Sequence, residues 1–553
     1  MQRFSRLQSG LGEVAAAAFL AAAALASSCD SSQAVSRDTD RKSSSAPRRG
    51  GIFRLLLEEP HCLDPASVGS VYEALPVGQI FDGLLGLDPG LNIVPVLADT
   101  WTISRDGRVY EFHVREGVRF HDGTPLTSAD VVFSLRRILD PKHAHQSIGA
   151  SYLEVVEGAK AFSAGRTLEL PGIVALDPGR VRIRLTRPYV SFLAVLAMDD
   201  LRIVPERSFN ALGEAAFRRA PIGTGPFRFG SWSADTLRLD ANPQYFHGAP
   251  FLDHVVISFP RPDERDGGNA RFSRGELEIV KPSPDTLSAM LADPAIEVHR
   301  YQDLSLSFLG MNTGVPPLDD VRVRCAIAHA IDRKSLAGLS PETRHEAQGI
   351  LPPGLPSYSP VAKALPFDRD AARRLLAEAG HPDGLGLAPL RLFTAKAGSD
   401  AALKSNEQLR GDLAAIGITL EVHEVTWREL IDRIEGHDAQ LFQLGWVADL
   451  PDPDSFLRSL FEPGGSANYF DFFDAETGRS LERGASETNP VERARSYRDL
   501  EKAVLDKAPL VPLYFPVGVI ASRRDVYGLE PGPLGIGALE LEHVWLETGK
   551  ADR

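Results

Sequence analysis

Residues 445–456 read Gly-Trp-Val-Ala-Asp-Leu-Pro-Asp-Pro-Asp-Ser-Phe, placing an indole and three carboxylates close together. Pro451 and Pro453 forbid continuation as strand or helix, so Asp449, Asp452 and Asp454 sit on a fixed turn. Such a turn presents the Trp446 ring and at least one anion together, which suits a ligand with a cationic end. A capped strand-to-helix turn with no ligand accounts for the same residues equally well. A calcium loop does not, because prolines stand between the acids and the glycine on which such a loop turns is missing.

The elements that must hold this turn are legible on both sides of it. Residues 440–446 are mostly apolar and short enough for a buried strand. Phe456, Leu457 and Leu460 follow at helical spacing, behind a Ser or Asp cap. Elsewhere, strands are expected at 52–57, 304–312, 511–520 and 538–546. A hairpin at 101–112 turns on Arg105-Asp106-Gly107. Helices are expected at 77–85, 321–331, 370–379 and 494–505, and another is capped by Thr127 to Asp130. Residues 390–394, a helix through Leu409 and Leu413, and 418–425 form a β-α-β unit, which requires parallel pairing. Strands alternating with helices, with no fixed repeat, indicate an α/β fold.

At 553 residues the chain exceeds one ordinary core, and two or three domains are expected. Its 43% hydrophobic and 24% charged residues fit a globular protein, and a net charge of −14 argues against nucleic acid as partner. The N-terminus differs from the rest. Arg3 and Arg6 precede an Ala-rich apolar run at 14–26, too short to span a membrane and laid out as a secretory signal. The run ends Leu25-Ala26-Ser27-Ser28-Cys29, similar to a bacterial lipoprotein cleavage site, although Ala26 stands where a leucine is usual. Cys29 would then become the lipidated N-terminus and anchor the protein to the membrane outside the cytoplasm, with 30–50 as a disordered tether. Cys62 and Cys325 are expected as unpaired thiols and cannot build a zinc site alone. His143 and His145 have metal-compatible spacing but no third ligand, so no metal is expected. Neither is catalysis: the chain has no Gly-x-Ser-x-Gly, His-Glu-x-x-His or Walker loop.

Several motifs, in this order, carry a resemblance to the extracytoplasmic solute-binding proteins of peptide-type (dipeptide, oligopeptide, nickel) ABC importers. They are Ala98-Asp99-Thr100-Trp101, Phe120-His121-Asp122-Gly123-Thr124-Pro125, Gly223-Thr224-Gly225-Pro226, Leu375 to Gly380, and 446–453. The resemblance implies a two-lobed periplasmic-binding-protein fold with hinge strands and an extra inserted subdomain. Residues 51–75, 195–304 and 518–553 would build lobe 1, 76–194 the inserted subdomain, and 305–517 lobe 2. It implies a monomeric receptor, without cofactor, that closes over a small peptide or peptide-like solute. The closed form would deliver its solute to a membrane permease driven by separate ATPase subunits.

The same resemblance implies that Asp449 meets the ligand's ammonium, with Trp446 against its body. Glu59, Phe308 and Tyr514 are further candidates, each also readable as loop charge or core. Three departures thin out the charges expected around the ligand: Gln443 replaces an arginine, Pro282 an amide and Gly310 an acid. They leave open a non-peptide solute such as an oligosaccharide, opine or metal chelate. For the lipid anchor, a Cys29→Ala form is expected in the soluble fraction after cell fractionation; retention of that form at the membrane would refute lipidation.

Overall fold

The computed structural model describes residues 46–143, 147–261, 267–360, 364–396, 400–462 and 467–547. The chain separates into compact units 1–46 and 47–553, and every element named below lies in the second. Cys29 and His145 fall outside the described residues. Among those described, no helix is long and apolar enough to cross a membrane, and Cys62 and Cys325 are unpaired.

Three larger sheets organise this unit. In the first, Ile52–Leu56 runs parallel to His254–Ser258, which pairs antiparallel with Thr236–Ala241 and, through it, Phe227–Trp232. Alternation along Ile52–Leu56 sends Phe53 and Leu55 into a core shared with Val255 and Ile257. The second sheet is antiparallel throughout: Ala98–Ile103, Val109–Val114, Arg180–Arg184 and Ile173–Asp177. Helix Ser128–Ile138 covers it, with the expected Thr127–Asp130 capping box at its start.

The third sheet has eight strands and includes the expected parallel pair, Leu390–Ala395 with Leu420–Val425. At its centre Ser305–Met311 is buried at every position, as an apolar strand covered on both faces must be. It pairs with Leu441–Val447 on one side and with Leu510–Arg523 on the other. Leu510–Arg523 spans both halves of the molecule. Its start pairs with Ser305–Met311 and Arg344–Glu346, its end with Ile279–Val280 and Ile296–Gln302. Since Ile296–Gln302 runs straight on into Ser305–Met311, the two lobes are joined by two neighbouring strands of one sheet. At this joint Tyr301 stands opposite Gly518, its ring filling space that a Cβ would enter at 2.1 Å.

The glycine motif serves the joint between the inserted segment and the first sheet. A Cβ on Gly223 would lie 2.0 Å from the Ile80 carbonyl oxygen, and one on Gly225 2.5 Å from that of Gln79. This contact brings His121 against the motif. Its Nδ1 accepts from the Gly223 N–H at 3.2 Å, so Nε2 carries the proton and donates to the Gly225 carbonyl at 3.0 Å. Thr224 donates to the buried Asp82 carboxylate at 2.7 Å, and Tyr245 donates to its other oxygen at 3.0 Å.

The structure differs from expectation at two elements. Helix Val71–Ile80 begins six residues earlier than the expected start at 77, capped by Ser70, because Pro76 removes only its own N–H and does not end the helix. Of the expected strand 538–546 only Trp545–Leu546 pairs, with Val526–Tyr527. The alternation there reflects Leu539, Leu541 and Val544 dipping into the core without a partner strand. Because backbone opposes backbone at the glycine motif, Gly223→Ala is expected to lower stability by about 1–3 kcal/mol. A denaturant midpoint equal to that of the unsubstituted protein would show the joint to be looser than described.

Candidate functional site

Strand Leu441–Val447 delivers the Asp449 turn to the joint between the lobes, where the Ala448 N–H donates to the Leu304 carbonyl at 2.8 Å. Leu450 beside it is fully buried in the core of the inserted subdomain. The turn is locked internally. The Trp446 indole donates to the Ser455 carbonyl at 2.6 Å, and the Asp449 N–H donates to the Ser455 hydroxyl at 2.7 Å.

The three acids of the turn divide their work. Asp452 is held by both terminal nitrogens of Arg493, at 2.9 and 2.8 Å, and accepts from the Asp454 N–H. Asp454 has no exposed surface and accepts from the Tyr497 hydroxyl and from Arg458. Helix Asp454–Phe461 starts after Pro453, which offers no side-chain cap bond, and its first N–H, that of Asp454, is met by the Asp452 carboxylate instead. Asp449 alone keeps a carboxylate free of any cation among the described residues.

The Asp449 carboxylate accepts from the Tyr152 hydroxyl at 3.2 Å. Burial pushes it up to about 7 and the charge of Asp200 adds to this, against the hydrogen bonds from Tyr152 and Ser455. Asp200 is 4% exposed. One of its oxygens accepts from the Ser147 hydroxyl and the Gly149 N–H, while Oδ1 has no hydrogen-bond partner among the described residues. Its carboxyl is pushed up to about 6, first by burial. Two carboxylates that resist ionisation in this way lack a positive charge, which a ligand's ammonium or a proton would supply.

Asp449 opens onto a cavity of about 390 Å³, walled from the opposite lobe by Gln79, Asp82, Arg202, Tyr245 and His247. A second cavity of about 150 Å³ shares Asp88, Glu530, Leu534 and Glu540 with it and extends to Leu91 and Pro533. Trp446 is half-buried at the edge of the apolar cluster that also takes in Leu91 and Leu534, and it lines neither cavity.

The other sequence candidates do not line these cavities. Glu59 is exposed and accepts from the Trp232 indole at 3.0 Å. Phe308 is fully buried between Phe442 and Phe470, which makes it core. Tyr514 lies under the Arg344 guanidinium, 4.4 Å from ring centre to charge. Gly310 lacks an acid for a steric reason: a Cβ there would come within 2.3 Å of the Phe442 ring. His143 faces Glu214 at 3.5 Å, and among the described residues no group of three or more His, Cys, Asp or Glu is arranged for a metal. Tyr152, Asp200 and Asp82 were not anticipated. The available signal was Asp200 itself, an acid inside the apolar run 192–204.

A carboxyl whose folded value is raised favours the folded state below its unfolded value, and that advantage is lost as pH rises through the folded value. For Asp449 the window runs from about 4 to about 7. Unliganded protein is therefore expected to lose stability across it. Asp449→Asn should stabilise at pH 8 by on the order of 2 kcal/mol and have little effect below pH 4. Thermal midpoints of both forms across this range check it; parallel curves would overturn the assignment.

A family profile described as bacterial extracellular solute-binding proteins, family 5 Middle, matches residues 92–468. The chain is 29% identical to Heme-binding protein A of Haemophilus influenzae, over 94% of this chain and 97% of that one. It is 30% identical to Probable di/tripeptide-binding protein 5 of Pseudomonas aeruginosa, over 82% and 88%. Among solved structures, the ABC transporter-associated periplasmic binding protein DppA from Helicobacter pylori, in complex with the peptide STSA, aligns with a TM-score of 0.77. That match has 27% identity and covers 91% of this chain and 99% of the other. With two strands joining its lobes, a cleft between them and a profile match over most of its length, this chain belongs to family 5 of the bacterial extracellular solute-binding proteins.

Proposed function

We propose that this protein is the receptor of an ABC importer, capturing a small peptide between its lobes and delivering it to the permease and its ATPase subunits. The observation that carries this reading is Asp449, a carboxylate raised to about 7 that opens onto the cleft with no cation of its own among the described residues. An α-ammonium bound there lowers the carboxyl again and repays the cost of its burial. The di/tripeptide-binding and peptide-complexed relatives support the peptide class. Residues 51–75, 195–304 and 518–553 act as lobe 1, 76–194 as the inserted subdomain and 305–517 as lobe 2, with a lipidated Cys29 holding a monomer at the membrane.

A non-peptide solute is the second reading, favoured by the uncharged Gln443 and by the heme-binding relative. Mass spectrometry of the solute released from purified protein separates the two. On the first reading, Asp449→Asn weakens peptide binding by about 2–5 kcal/mol, at least roughly thirtyfold in Kd. Affinity of the unsubstituted protein should fall as pH drops below about 7, because protons then compete for the same carboxylate. Titration calorimetry with short peptides checks both. Unchanged affinity in the variant, or no peptide binding at all, would remove the ammonium role of Asp449.

A further inference from the structure

Asp200 lines neither cavity, yet a short chain of contacts leads from it to Asp449. One of its oxygens accepts from the Ser147 hydroxyl at 2.8 Å and from the Gly149 N–H at 2.5 Å. Both donors stand at the start of helix Ile148–Leu153, which Ser147 caps. From the same helix Tyr152 donates to Asp449 at 3.2 Å, across the seam between the inserted subdomain and the second lobe. Gly149 permits the approach of Asp200, since a Cβ there would lie 2.6 Å and 2.8 Å from its two carboxylate oxygens. Leu201 and Leu450, the next residues along from the two acids, pack in one buried core. Asp200 and Asp449 thus stand on opposite sides of the seam, and the charge of the first reaches the second.

Among the described residues no cation pairs with either carboxylate. The arginines nearby are engaged: Arg202 by Asp199, Arg493 by Asp452, Arg458 by Asp454, Arg187 by Glu482 and Arg137 by Asp64. Asp199 adds a further negative charge beside Asp200. Of the other acids on helices packed against 199–201, Glu73 accepts from Ser70 and Asp130 from Thr127. The cavity beyond Asp449 brings Asp82, Asp88, Glu530, Glu540 and Glu542 with His247 and His543, and burial holds His247 low. Three polar atoms of the seam are buried without a partner among the described residues: Asp200 Oδ1, the Tyr189 hydroxyl and Arg187 Nη1. Closing this seam without solute therefore buries like charges and polar atoms that the protein itself does not compensate.

We propose that Asp200 is a positioning residue that opposes Asp449 across the seam and makes closure over an empty cleft depend on a proton. With both carboxylates charged, the seam resists closing. A proton taken from solvent onto Asp449 removes that opposition, and a ligand's ammonium removes it in place of the proton. Asp449 holds a proton more tightly in the closed seam than in open water, so closing takes up protons and is favoured as pH falls. Near neutral pH the receptor waits open for solute, and in acid it closes empty. The ammonium step rests on the peptide-receptor reading above, whereas the proton-dependent closure of the empty protein does not.

The test is small-angle X-ray scattering of the full chain, dialysed free of solute, from pH 5 to pH 8. The unsubstituted protein is expected to be compact at pH 5 and to expand as pH rises. Asp200→Asn keeps an oxygen for Ser147 and Gly149 but loses the charge. It should raise the closed-to-open ratio at pH 8 by on the order of tenfold and leave pH 5 unchanged, whereas a merely structural role would shift both ends alike. Asp449→Asn should flatten the response by itself, and adding Asp200→Asn to it should change nothing more. Scattering that ignores pH, a response that survives Asp449→Asn, or an Asp200→Asn effect that is the same without Asp449 overturns the proposal. Should Asp200→Asn fail to fold, the Asp449→Asn response decides. If short peptides do not bind while the empty protein still opens with rising pH, the peptide reading falls and the proton-dependent closure stands.

Discussion

Arg493 is the contact on which the site depends. Its guanidinium is nearly inaccessible and grips both oxygens of Asp452, while one of its nitrogens reaches the Ser191 hydroxyl on the inserted subdomain at 3.0 Å. A buried pair of this kind adds little net stability, but losing one partner strands the other charge at a cost of about 3–5 kcal/mol. Its value here is geometric. Asp452 cannot move, so the prolines around it and Asp449 ahead of them cannot move either. The same side chain ties the turn to the part of the molecule that closes against it.

That contact belongs to a longer seam. The Val190 N–H donates to the Ala485 carbonyl at 3.0 Å, Arg187 faces Glu482 at 3.2 Å, and Tyr152 reaches Asp449. Leu450 completes the subdomain's apolar core from the other lobe. The two lobes therefore meet at this seam, and the paired strands around 302–305 and 516–518 join them. Short strands that share hydrogen bonds along one sheet permit a small change in twist without unpairing. The seam must part for solute to enter, and the contacts named above are mostly polar, as a reversible closure needs.

Between joint and seam the cleft holds carboxylates under tension. Burial raises Asp449 and Asp200, with the charge of Asp200 adding to Asp449 and that of Asp199 to Asp200, and burial first, then neighbouring acids, raises Glu540 and Glu542 against the pull of His543. A sequence optimised for stability alone would neutralise or pair them. On the proposed reading a stabilising charge arrives with the ligand, so that binding and closure draw on the same electrostatic energy.

By itself the sequence determined the α/β class, most strands and helices, and the membership carried by motifs spaced along the chain. These are local properties: alternation, capping residues and turn prolines constrain backbone wherever it lies in space. It pointed to Asp449 only through that membership, since on its own residues the turn reads equally well as a cap. It could not divide the work of the turn's three acids, which are chemically equivalent until Arg493 and Arg458 arrive from far along the chain to take two of them. Nor could it place Phe308, whose strand is buried on both faces, or show that Gly310 makes room for a ring rather than marking a lost charge. Tyr152, Asp200 and the acids around 530–542 became parts of one cleft only through tertiary structure, because charges distant in sequence influence one another only when folding brings them within a few ångströms and excludes the water that would screen them.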